Sequence, residues 1–73
     1  MKNKKNIIRN IYPVFDELEE ECLNTVKYIE ALRVKWLTKN QKENILGELS
    51  ASITHLRIQT KRLDKDLELI EKI

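Results

Sequence analysis

The chain has one cysteine, one proline and one glycine in 73 residues, and each shortage removes a class of structure. A lone cysteine closes no intrachain disulfide and forms no C-x-x-C pair, so a disulfide-stapled secreted scaffold is excluded. Sandwiches, barrels and α/β folds need turn residues between many short elements, and one glycine with one proline does not supply them. No apolar run approaches the roughly 18 residues needed to cross a bilayer. No apolar signal segment follows Met1-Lys2-Asn3-Lys4-Lys5, so the expectation is a cytoplasmic protein without a membrane partner. A Gly-rich phosphate loop, G-x-S-x-G and H-E-x-x-H are all missing. The chain therefore reads as a non-enzyme with no cofactor, metal or small-molecule ligand. Charge of one sign is also lacking: 14 Lys and Arg stand against 12 Asp and Glu, and a net +2 does not by itself imply nucleic acid.

What is present is helix. Charged residues make up 36% of the chain, and its apolar residues recur with a heptad period. From Leu46, the positions Leu49, Ile53, Leu56, Thr60, Leu63, Leu67 and Ile70 follow at alternating spacings of 3 and 4, with only Thr60 polar. In the first half Ile8, Ile11, Phe15, Leu18, Cys22, Thr25, Ile29, Leu32 and Trp36 repeat the pattern, with Thr25 polar and Val26 widening the stripe. Between them, Thr38 and Gln41 have the T-x-x-Q spacing of a capping box that opens a new helix. The expected fold is all-α: an antiparallel two-helix hairpin forming one domain over 1–73, with arms at about 4–37 and 41–72 and a turn at 38–40. One continuous rod is the alternative, since no Gly or Pro marks the turn.

Pro13 must be accommodated, because inside a helix it removes a hydrogen bond and clashes with the preceding turn at about 3 kcal/mol. The first arm is therefore expected to be kinked or broken there. A main helix starting at Pro13, with residues 2–11 as a separate arm, is the other solution.

A fold-back near residue 39 sets neighbours whose numbers sum to roughly 78 at equal rise along both helices. Asp16, Glu17, Glu19, Glu20 and Glu21 then run beside Arg57, Lys61 and Arg62, and Lys2, Lys4, Lys5 and Arg9 beside Asp64, Asp66, Glu68 and Glu71. Such pairs select register more than they stabilise. The acidic run thus reads as a solvated, paired face rather than a metal site. Arg33, Lys35, Lys39 and Lys42 remain as a basic tip around Trp36, whose ring either closes the end of the core or stacks on a base.

Two helices cannot enclose a core, and Leu23, Val34, Ile58 and Leu69 lie off both seams. A homo-oligomer or a helical protein partner completing a four-helix bundle is the expected remedy. The partner-binding residues are then the seam positions Leu46, Leu49, Ile53, Leu56, Leu63, Leu67 and Ile70, together with the off-seam set. His55 falls far from the seam and is expected on a solvated face, Cys22 as a small buried hydrophobe, and Gly47 where a neighbouring helix comes close.

Asn10-Ile11-Tyr12-Pro13-Val14 and the run Leu56-Arg57 to Lys61-Arg62-Leu63 resemble segments of the accessory variability determinant proteins of diversity-generating retroelements. These are four-helix bundles related in fold to the proteins of ribosomal intervening sequences. The chain is shorter than they are and lacks the Pro-Arg loop and further helix of that pattern. The resemblance implies a homo-oligomer that binds a reverse transcriptase and RNA, with Arg57, Lys61 and Arg62 in contact. Two functions follow as expectations: an oligomerising or adaptor module, or a nucleic-acid-binding accessory of a mobile element or phage. The second would use these three cations and the tip residues Arg33, Lys35, Trp36, Lys39 and Lys42.

Overall fold

A computed structural model describes residues 4–72, with side chains from residue 10 onward, and places them in two helices, α1 (Lys4–Leu32) and α2 (Lys39–Lys72). The helices lie side by side in a hairpin 53 Å long, and no strand occurs among the described residues. The continuous rod is thus set aside. α1 runs through Pro13 without interruption, so neither the broken arm nor a helix starting at Pro13 is adopted. The expected partners Lys2, Lys4, Lys5 and Arg9, and the seam position Ile8, lie outside the described residues or side chains.

The capping box forms as its spacing predicts. The Gln41 backbone N–H donates to Thr38 Oγ1 at 3.1 Å, and the Thr38 N–H donates to Gln41 Oε1 at 3.0 Å. Each satisfies a donor that the helix start leaves unpaired. With Thr38 as the cap, α2 starts at Lys39, two residues before the expected Gln41. α1 ends at Leu32 rather than 37, so the connection is residues 33–38 and not 38–40. The physical reason is the 3₁₀-type closure of the last turn: Arg33 N–H donates to Glu30 O at 3.1 Å and Val34 N–H to Ala31 O at 3.3 Å. The remaining residues then carry the chain across to the second axis.

Register agrees with the fold-back expectation to within two residues. Thr25 meets Ser52 and Glu21 meets His55, pairs whose numbers add to 77 and 76. The face each helix uses is different from the one the apolar spacing suggests. On α2 the shielded positions are Ile45, Leu49, Ser52, Leu56, Gln59, Leu63, Asp66 and Ile70; on α1 they are Ile11, Val14, Leu18, Glu21, Asn24, Thr25, Tyr28, Ala31 and Leu32. One column of each expected seam is inside: Ile11, Leu18, Thr25 and Leu32, and Leu49, Leu56, Leu63 and Ile70. The other columns, Phe15, Cys22 and Ile29, and Leu46, Ile53, Thr60 and Leu67, are exposed. Among the described apolar side chains only Ile11 and Leu63 are buried outright.

Cys22 is therefore exposed rather than in the core. Gly47 is not a close-approach site, because a Cβ built there meets nothing within 4 Å. The expected ion pairs between the acidic run and Arg57, Lys61 and Arg62 are not formed. Among the described residues the single inter-helix pair is Glu21 with His55, because the inward rotation of α1 turns Glu21 towards Ser52.

Candidate docking face and basic tip

Both exposed apolar columns sit one residue further along the chain than a shielded column: 14 to 15, 21 to 22 and 28 to 29 on α1, and 45 to 46, 52 to 53 and 66 to 67 on α2. Two antiparallel right-handed helices are related by a two-fold normal to the plane that contains them, and this rotation preserves the sense of residue advance around each helix. The columns consequently emerge on the same side of the hairpin. That side carries Phe15, Val26, Ile29, Leu46, Ile53 and Leu67, all substantially exposed, with Ile53 at 52% and Leu46 at 48%. Tyr12 extends it at the far end, packed edge-on to Phe15 with ring centroids 6.0 Å apart. Leu46, Leu49, Ile53 and Arg57 line a shallow groove along its α2 edge.

The polar contacts between the helices lie towards the opposite side, where one buried acceptor among the described residues, Gln59 Oε1, is left without a hydrogen-bond partner. Ser52, 2% exposed, donates to Glu21 Oε2 at 2.7 Å and lies 2.5 Å from Thr25 Oγ1; Thr25 also reaches the Glu21 carbonyl at 2.8 Å. Two hydroxyl protons serve these three contacts: Thr25 donates to its own helix, Ser52 donates to the carboxylate, and one of the two protons is shared with the bond between the hydroxyls. His55 Nδ1 lies 3.0 Å from Glu21 Oε1, an ion pair whenever the imidazole is protonated. The Ser52 hydrogen bond, opposed by partial burial and assisted by His55, holds the Glu21 carboxyl below the ordinary carboxylate range. His55 is exposed, as expected of a solvated face, but it edges the groove beside Glu21 rather than lying remote from α1. Asn24, Tyr28, Glu48 and Ala51 complete this groove.

The expected site residues separate into groups. Leu63 is buried, Leu49, Leu56 and Ile70 are half-buried inside the hairpin, and Leu46, Ile53 and Leu67 are free on the open side. Leu23, Val34, Ile58 and Leu69 are exposed as expected but do not join one surface: Val34 is in the connection and the other three point away from the open face. Ile58, Lys61, Arg62 and Lys65 gather on the outer side of α2, whereas Arg57 flanks the apolar face. At the tip, Trp36 is 87% exposed and closes no core. Leu37 is the half-buried residue there. Arg33, Lys35, Lys39 and Lys42 surround Trp36 in sequence, with Arg33 3.9 Å from Glu30.

Sequence reasoning missed the Thr25–Ser52–Glu21–His55 network. Thr25 at a seam position was its visible signal, and Ser52 one residue before the apparent seam was the complement. No group of His, Cys, Asp and Glu able to hold a metal occurs among the described residues, and no described helix is long and apolar enough to cross a membrane. Compared with family models, curated proteins and solved structures, the chain matches none.

Proposed function

We propose that the protein is a helical assembly module: its hairpin holds an apolar face open, and other helices dock on that face. The observation that carries this reading is the one-sided exposure of Phe15, Val26, Ile29, Leu46, Ile53 and Leu67. Apolar side chains scattered over a surface are ordinary, whereas columns contributed to one side by both elements, interrupted on α2 only by Thr60, support an interaction surface. Burying such a strip contributes about 25 cal/mol per Å² of apolar area removed from water. The polar side contributes to function only by fixing the relative rotation of the helices, and hence which column stays outside. Light scattering and binding of the apolar dye anilinonaphthalene sulfonate test this reading. Wild type should either be heavier than one 8.7 kDa chain or be a monomer that binds the dye. Replacing Ile29 and Leu46 by Glu should abolish either behaviour, and a helical wild-type monomer that leaves the dye dark overturns the reading.

A second reading places nucleic acid at the tip. The exposure of Trp36 among Arg33, Lys35, Lys39 and Lys42 favours it, since an indole ring free in solvent beside cations is a stacking platform for a base. The retroelement-accessory resemblance points the same way through Arg57, Lys61 and Arg62. Trp36 fluorescence at low salt is the test: quenching by RNA or DNA that weakens steeply with added salt supports it, and no response removes it.

A further inference from the structure

Resting on the docking-face reading, we infer that the occupant of the apolar face is a second copy of this chain, related by a two-fold axis parallel to the helices, with both tips at the same end. Rotation about such an axis preserves height along the hairpin. It sets α1 of one copy against α2 of the other, antiparallel, at the register already present within each chain. No sliding is left to adjust, so the residues edging the apolar face become a test with no free parameter.

Along the α1 edge run Tyr12, Glu19 and Val26, continued by Arg33, the first residue of the connection; along the α2 edge run Glu43, Ser50, Arg57 and Asp64; all are exposed. At the inter-helix register of 76 to 77, Glu19 faces Arg57 of the second copy, Arg33 faces Glu43, Tyr12 faces Asp64 and Val26 faces Ser50. Both acids meet bases, both bases meet acids, and the tyrosine hydroxyl meets a carboxylate. Of the exposed columns, Ile29 comes level with Leu46 and Cys22 with Ile53, while Phe15 comes level with Thr60.

The other face-to-face arrangement, with a two-fold perpendicular to the helices and tips at opposite ends, sets each helix against its own copy. At full overlap it brings Glu19 against Glu19, Arg57 against Arg57 and Glu43 against Glu71. Like charges so placed oppose association, which is how assemblies reject wrong partners. Glu19 and Arg57 lie on opposite outer edges of one hairpin, so their pairing serves no purpose within a single chain. The axial arrangement also joins two basic tips into one end surface.

Sedimentation equilibrium and pulsed electron resonance distances together test this. The full chain should have twice the 8.7 kDa mass. With Cys22→Ala and a spin label on Lys39→Cys, the two labels should lie about 15–30 Å apart, since neighbouring axes in a bundle are 8–10 Å apart and the label arms add the rest. A separation near the 53 Å length of the hairpin places the tips at opposite ends and overturns the axial geometry while leaving the docking face in place. A monomer that binds the apolar dye overturns the second copy alone; a monomer that does not bind it also overturns the docking face. Because the label site or Cys22→Ala could disturb assembly, charge exchange in the unlabelled chain supplies an independent arm. Glu19→Arg and Arg57→Glu should each weaken the dimer by about fivefold, and the double exchange should restore it. Failure of the double exchange to restore it overturns the Glu19–Arg57 pairing and with it the axial dimer.

Discussion

The two sides of the hairpin are made by the same pair of helices and solve opposite problems. On one side Glu21, Thr25, Ser52 and His55 bond to one another, and among the described residues Gln59 Oε1 alone is buried there without a partner. On the other, Phe15, Ile29, Leu46, Ile53 and Leu67 remain in contact with water. The difference shows where the stabilisation resides. A buried polar layer fixes which way the helices face, at little net gain, because its bonds replace bonds to water. The apolar side holds the unrealised burial, and small domains depend on such burial for independent stability.

The comparison breaks most visibly in the seam between the two sides. Leu63→Ala should lower stability by about 2–5 kcal/mol in chemical denaturation, because the side chain is buried against α1. An equally large loss in a monomeric state for Ile53→Ala would mean that the open face is not open. On the polar side, Ser52→Ala should cost about 1–2 kcal/mol, since it leaves Thr25 and Glu21 without their shared partner. A double-mutant cycle with Thr25→Val measures the coupling, and strict additivity would remove the network.

Acid supplies a smaller test of that side. The Glu21 carboxyl titrates below its ordinary value of 4.5 in the folded chain, so it contributes stability that is present above pH 4.5 and is lost as pH falls through the lower folded value. Unfolding monitored between pH 6 and pH 2 should show this loss, with a smaller slope in Glu21→Gln. An unchanged slope contradicts the hydrogen-bonded carboxylate. The mildest substitution is Gly47→Ala, expected to raise stability by about 0.5–1 kcal/mol, because a helix-interior glycine has an entropic cost and its Cβ position is open. Destabilisation there would reveal a neighbour that the isolated hairpin does not contain.

These contrasts also explain what could be read in the sequence. The two helices, their antiparallel register and the Thr38–Gln41 cap followed from spacing alone, because heptad period and capping chemistry are local. The rotation of each helix did not. Each carries an apolar stripe wider than one neighbouring helix can cover, and choosing the most apolar pair of columns put Ile53 inside and Ser52 outside. In the hairpin Ser52 is inside because Thr25 and Glu21 meet it there, a relation between residues 27 and 31 positions apart. Likewise Trp36 continued the heptad on paper, but α1 had already ended at Leu32 and the spacing no longer described a helix face. The exposed apolar face was legible only in part: the spacing leaves Leu46, Ile53 and Leu67 open to a partner, whereas it places Phe15, Val26 and Ile29 in the first seam.

The most direct measurement places one charge on each side of the hairpin, two residues apart: Ile53→Lys on the apolar face and Ala51→Lys beside Glu48 in the polar groove. Sedimentation equilibrium of both, beside wild type, should give a mass above 8.7 kDa for wild type and Ala51→Lys, and a helical 8.7 kDa monomer for Ile53→Lys alone. Equal masses for the two variants, whether both assembled or both monomeric, would contradict an assembly built on the apolar face.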